Sequence, residues 1–122
     1  MPYGFKDLKV YKLAYQFAMR IFHESKRFPV EERYSLTDQI RRSSRSVSAN
    51  IAEAYRKRQY PNAFVSKLAD ADGEGAETQG WIDYGRDCGY WTAALAAELT
   101  TGYEDVGRML GGMIAHPEKF ST

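Results

Sequence analysis

The sequence predicts an all-α protein, an antiparallel up-down-up-down bundle of four helices that forms a single domain over residues 1–122. Three observations support this class. A chain of 122 residues has the length of one domain. Apolar residues recur every three or four positions in four segments, and no segment alternates as a β-strand does. The connections between these segments are short, so consecutive helices should pack as antiparallel neighbours.

We expect the four helices at about residues 7–28, 36–58, 62–88 and 93–115. Asp7 is suited to be the N-cap of the first helix, and Thr92 that of the fourth, which ends before Pro117. The second begins with Ser35–Asp38, which resembles a capping box. The apolar stripes of the first, second and fourth helices are Leu8, Tyr11, Tyr15, Ala18 and Phe22; Leu36, Ile40, Ser44, Val47, Ile51 and Tyr55; and Leu95, Leu99, Tyr103, Val106, Met109, Leu110 and Met113.

The third segment combines a helical period with an unusual number of glycines. Its apolar and small residues follow steps of three and four from Phe64 to Gly85. Gly73, Gly75, Gly80 and Gly85 each cost about 1 kcal/mol relative to alanine in a helix. We therefore expect a close approach of a neighbour to this backbone, where only a residue without a side chain fits.

Composition and charge exclude several classes of protein. The formal net charge is +1, from 17 basic and 16 acidic residues, so net charge identifies no nucleic-acid or membrane partner. The single cysteine, Cys88, cannot form an intramolecular disulfide. No apolar run approaches the roughly 20 residues of a membrane span, and the N-terminus lacks a signal peptide. We therefore expect a cytoplasmic protein with no membrane partner.

The residue types that carry catalysis do not form a catalytic set. His23 and His116 end the first and fourth helices, at opposite poles of such a bundle. Asp70–Gly75 matches the first positions of a calcium loop, but Trp81 stands where a bidentate glutamate is required. No glutamate has a histidine three residues later in mid-helix, as di-metal bundles do. We expect no enzymatic activity, no metal and no cofactor.

Charge is segregated between the second and third helices. The second is basic, with Glu53 as its single acid after Ile40, whereas the third is acidic with Arg86 as the one basic residue after Asp70. Helical periodicity places the second helix's arginines opposite its apolar stripe. Such a face can bind phosphates, pair with an acidic face of another subunit, or simply be solvated. The basic residues are Arg41, Arg42, Arg45, Arg56, Lys57 and Arg58.

Three aromatic residues lie beside the main apolar stripe of the third helix or just after it. They are Trp81, Tyr84 and Trp91. A four-helix subunit of this size has little room for a second apolar stripe, so we expect these rings to cover a subunit interface. The sequence therefore predicts self-association.

Several motifs together resemble the bacterial four-helix bundle proteins first recognised as products of intervening sequences in 23S rRNA genes. Ser46–Ala54 is similar to that family's S-I-P-x-N-I-A-E-G core, with Ser48 in place of proline and Ala54 in place of glycine. The missing proline predicts a straighter second helix. The other segments that carry the resemblance are Phe5–Tyr11, Phe28–Pro29, Tyr34–Ser44, Glu77–Gln79, Cys88–Tyr90 and Gly107–Leu110.

The resemblance implies a bundle that assembles into a ring of five subunits, with no known catalytic residues. The accessory variability determinant of diversity-generating retroelements is similar in architecture, and it works with a reverse transcriptase and RNA. Family membership predicts a fold better than an activity.

Two hypotheses of function follow. In the first, a non-enzymatic ring binds structured RNA, such as rRNA, or other nucleic acid through phosphate contacts from the basic face. In the second, the protein is a scaffold in which the same arginines contact Asp70, Glu74 or Glu77 of a neighbouring subunit, and no nucleic acid is bound.

Overall fold

The computed structural model describes residues 3–121, and these residues form four α-helices and no strand. This confirms the all-helical class. Short 3-10 turns precede α1, link α1 to α2, and follow α4. The helices are α1 (Lys9–Glu24), α2 (Leu36–Arg56), α3 (Pro61–Asp87) and α4 (Ala93–Ala115). The first helix is shorter than its sequence pattern predicts, because residues 25–27 form a 3-10 turn.

The four helices pack around one core. Helix α2 contacts α1 and α3, and α4 contacts α3 and α1, so each helix has two neighbours. Residues 57–60 connect α2 to α3, and residues 88–92 connect α3 to α4. Connections this short fit the antiparallel arrangement of consecutive helices that the sequence predicts. The largest fully buried side chains include Tyr103, Phe64, Ile21, Ile40, Ile51 and Leu68.

The helix ends differ in how they are capped. Thr92 caps α4 as predicted, because its side-chain oxygen accepts a hydrogen bond of 3.0 Å from the backbone of Leu95. The predicted capping box of α2 is wrong, since Ser35 donates to Glu32 Oε1 at 2.6 Å and that oxygen also accepts from the Leu36 backbone. The Asp7 carboxylate accepts from Gly4 in the preceding turn, so Leu8 is the N-cap residue of α1.

Trp91 is buried in the core, with 4% of its surface exposed, so the prediction that it covers a subunit interface is wrong. Its indole donates a 3.0 Å hydrogen bond to the carbonyl of Ile82, and its ring packs on Phe28 with a centroid distance of 4.8 Å. Gly85 makes room for it, because a Cβ there would lie 2.5 Å from the indole nitrogen. The expected close approach to a glycine backbone is therefore found at Gly85.

Candidate nucleic-acid interface

The bundle has a basic pair of helices and an acidic pair. Helices α1 and α2 carry seven Lys and Arg against three Asp and Glu, whereas α3 and α4 carry three against nine. Because α1 and α2 are in contact, as are α3 and α4, these charges form two layers of opposite sign. The basic layer is the part of the described protein that fits an anionic partner.

Four arginines line one open depression of about 510 Å³ on the basic layer. We call this site the arginine depression, and its arginines are Arg33, Arg41, Arg42 and Arg45. Asp38 is the one acidic residue in its lining, and Thr37, Ser46 and Ala49 complete the wall. Three of these arginines come from α2, at positions that helical periodicity places away from the core, and Arg33 comes from the turn before α2.

Arg41, at the edge of this depression, contacts residues at the end of α1 and just after it. Its Nε donates to Ser25 Oγ at 2.9 Å, and its guanidinium lies 4.8 Å from the centroid of the Phe22 ring. Arg45 lies over the same ring at 5.8 Å. Burial, and next the positive charge of Arg45, lower the pKa of Arg41. The site therefore brings the positive charges of Arg41 and Arg45 together over the Phe22 ring.

Arg42 points to the other side of α2. Its Nη2 lies 3.3 Å from Glu77 Oε1 on α3, and this oxygen also accepts a hydrogen bond from the Trp81 indole at 3.4 Å. Glu77, one of the three acidic partners that the second hypothesis placed on a neighbouring subunit, is thus engaged within the same subunit. The Arg42 side chain remains 55% exposed, so a ligand can still reach it.

The remaining three predicted basic residues form a second group at the other end of α2. Arg56 and Lys57 are exposed, whereas Arg58 lies over the Tyr55 ring at 4.2 Å and donates to the Tyr55 carbonyl. Arg45 and Arg56 are separated by about 16 Å along the helix axis, at 1.5 Å per residue. The structure therefore divides the six predicted residues into two clusters.

Arg33, which the helical pattern does not predict as a site residue, joins the arginine depression from the connection between α1 and α2. This connection has no helical period, so periodicity gave no direction for its side chains. The feature of the sequence that could have indicated a basic site here is the presence of three basic residues in this connection, Lys26, Arg27 and Arg33.

The other candidate residues lie outside the arginine depression. Tyr84 is 59% exposed on α3 and packs against the partly buried Trp81, with ring centroids 5.7 Å apart. Asp70–Gly75 lies within the continuous helix α3 and forms no loop. Within residues 3–121, no group of three His, Cys, Asp or Glu side chains is arranged to hold a metal ion. None of the described helices is long and apolar enough to cross a bilayer.

Comparisons with known proteins support a family assignment. The sequence matches the 23S rRNA-intervening sequence protein family over residues 6–112. The structure is similar to a crystal structure of a protein of unknown function from the S23 ribosomal protein family, from Bacteroides thetaiotaomicron VPI-5482. The TM-score is 0.77 at 28% sequence identity, with 86% of this chain and 97% of that chain covered. No curated protein matches the sequence. The chain belongs to the 23S rRNA-intervening sequence protein family.

Proposed function

We propose that this protein binds structured RNA through phosphate contacts at the arginine depression, without a catalytic step. The observation that carries the proposal is the lining of this site by four arginines and one carboxylate. Guanidinium groups form bidentate hydrogen bonds with phosphate oxygens, and their positive charges make binding favourable at low salt. The family's link to 23S rRNA genes makes RNA the first ligand to test.

The positions of Arg41 and Arg45 favour an anionic ligand. Both guanidinium groups lie over the Phe22 ring, and the charge of Arg45 contributes to the lowered pKa of Arg41. A phosphate placed between them would relieve this repulsion. Because Arg41 is already fixed by Ser25, little side-chain entropy is lost when the phosphate binds.

The mode of recognition follows from the helical surface. The major groove of A-form RNA is too deep and narrow for side chains to read, so we propose that the protein reads backbone shape and charge. Arg56 and Lys57, about 16 Å further along α2, would supply a second set of phosphate contacts. A protein with one cysteine fits a reducing compartment, and we propose a cytoplasmic location for this function.

A pair of double variants with equal charge change tests the proposal. Arg33→Gln with Arg45→Gln removes two exposed positive charges from the arginine depression. The matched control, Arg86→Gln with Arg108→Gln, removes two exposed positive charges from the acidic layer. Affinity for an RNA duplex is measured from about 50 to about 200 mM salt.

We expect the Arg33 and Arg45 variant to bind the duplex more weakly and to lower the slope of log affinity against log salt by about 2, one unit for each lost phosphate contact. The control should keep the wild-type slope. Equal effects of the two variants would show that binding does not use the arginine depression, and the proposal would fail.

One observation favours a second candidate function, assembly into a ring without nucleic acid. The basic layer of one subunit is complementary in charge to the acidic layer of another, and a heterologous contact of this kind closes into a ring when the rotation permits. Arg41→Glu with Arg45→Glu separates the candidates by solution mass. Under the second candidate the assembly dissociates, and under the first it stays intact but no longer binds RNA.

A further inference from the structure

A second groove on the basic layer combines aromatic rings with lysines. It has a volume of about 450 Å³ and is lined by Lys6, Tyr11, Lys12, Tyr15 and Gln16. No carboxylate takes part in this lining. Helix α1 has no Asp or Glu before Glu24, its last residue, and the nearest carboxylate in sequence is the exposed Asp7, which follows Lys6.

The two tyrosines of this groove differ in exposure. Tyr15 is 53% exposed, and its ring lies 6.1 Å from that of Tyr11 with an interplanar angle of 33°. Tyr11 is partly buried because Phe5 packs edge-on against it at 5.1 Å. Tyr11 and Phe5 thus support the ring of Tyr15 from below, while Tyr15 presents a free aromatic surface to solvent.

The arginine depression is lined by α2 and the turn before it, and it borders α1 where Arg41 and Arg45 lie over the Phe22 ring. Tyr15 and Phe22 are seven residues apart, which places them on one side of the helix and about 10 Å from each other along its axis. Phe22 is the residue over which Arg41 and Arg45 lie. A nucleic-acid strand bound at the arginines can therefore continue along α1 to Tyr15.

We propose that Tyr15, supported by Tyr11, stacks against an unpaired base of the RNA whose phosphates occupy the arginine depression. The inference rests on the proposed function and narrows its ligand to RNA with a single-stranded segment beside a helix. Every base has a π-face that can stack on an aromatic ring, and lysines beside the ring bind the backbone phosphates. The lining supplies both, through Tyr15 and through Lys6 and Lys12. The absence of carboxylates favours this anionic occupant over a basic protein surface.

The test uses two RNA probes and four proteins. One probe is a fully paired duplex, and the other is the same duplex with a short single-stranded extension that contains 2-aminopurine. The proteins are the wild type, Tyr15→Ala, the conservative variant Tyr15→Phe, and the control Tyr60→Ala. Tyr60 is a second exposed tyrosine, 66% accessible, in the connection before α3.

We expect the wild type to bind the extended RNA about 10-fold more tightly than the duplex, within the range of one stacked base. Tyr15→Ala should lose this preference and the fluorescence quenching of 2-aminopurine, and it should keep the affinity for the duplex. Tyr15→Phe and Tyr60→Ala should behave as the wild type.

Any one of three results would overturn the inference. The first two are a wild type that shows no preference for the extended RNA, and a Tyr15→Ala variant that keeps this preference. The third is a change in the solution mass of the protein in Tyr15→Ala, which would show that this groove is a contact between copies of the chain. If the wild type binds the duplex but shows no preference, only the stacking inference fails. If neither RNA binds, the proposed function fails with it.

Discussion

At the scale of single residues, the contact between α2 and α3 contains one poorly satisfied carboxyl group. Among the described residues, Glu74 Oε2 is buried without a hydrogen-bond partner, whereas nearby Glu77 is paired with Arg42. Burial, and next the negative charge of Glu77, raise the pKa of Glu74 above its usual 4.5. An acid with a raised pKa binds its proton more tightly in the folded state than in the unfolded state. Its contribution therefore favours the folded state at low pH and decreases as the pH rises above about 4.5.

We predict that Glu74→Gln stabilises the protein at pH 7 by about 1 kcal/mol, because an amide supplies a donor and removes a buried charge. The stabilisation should be smaller at pH 4, where the wild-type carboxyl group binds a proton. Urea unfolding at both pH values measures the difference. The exposed Glu104→Gln on α4 is the control, and an equal gain at the two pH values would contradict this assignment.

Residue by residue, the candidate site could be predicted only in part. Periodicity placed the arginines of α2 away from the core, but it could not show that Arg41 lies against α1 and Arg42 against α3. Those directions depend on which side chains the neighbouring helices present, here Phe22 and Glu77. The prediction that Trp91 covers a subunit interface was wrong for a related reason. A pattern within one segment does not reveal that Gly85 leaves space for an indole.

At the scale of the helices, α3 contains glycines in two different environments. A Cβ at Gly85 would lie 2.5 Å from the Trp91 indole nitrogen, whereas a Cβ at the exposed Gly80 would meet nothing within 4 Å. Gly73 resembles Gly80 in this respect. The close approach that explains Gly85 therefore does not explain the two outward glycines.

We predict opposite effects of alanine at these positions. Gly80→Ala should stabilise the protein by about 1 kcal/mol, the difference in helix propensity. Gly85→Ala should destabilise it by about 2 kcal/mol, because Trp91 must move from its packing against Phe28. Thermal unfolding of the two variants gives both signs. A loss of stability in Gly80→Ala would contradict the open space at that position.

The four helices could be predicted from the sequence because their apolar period is long and regular. The residues at which they begin and end were predicted less well. Thr92 caps α4 directly, so its residue type was sufficient. The start of α2 could not be predicted, because Glu32, from the preceding turn, accepts hydrogen bonds from the Ser35 hydroxyl and the Leu36 backbone, whereas Ser35 was expected to accept one from the backbone of the first turn of α2. A cap supplied from outside the helix has no local sequence pattern.

At the scale of the whole molecule, the fold follows from four amphipathic helices and short connections, and the structure adds how charge is distributed among them. Each charge is visible in the sequence, but the pairing of α1 with α2 and of α3 with α4 turns them into two layers. The ring of five subunits stays a prediction of the family resemblance.

Phosphate binding by the arginine depression is tested by the affinity of the wild-type protein for a structured RNA as a function of salt, between about 50 and about 200 mM. Arg33, Arg41 and Arg45 form no ion pair among the described residues, so at least three phosphate contacts are available in the arginine depression. We predict that log affinity falls with log salt with a slope of about −3 or steeper. An affinity that does not change with salt would contradict phosphate binding by the basic layer.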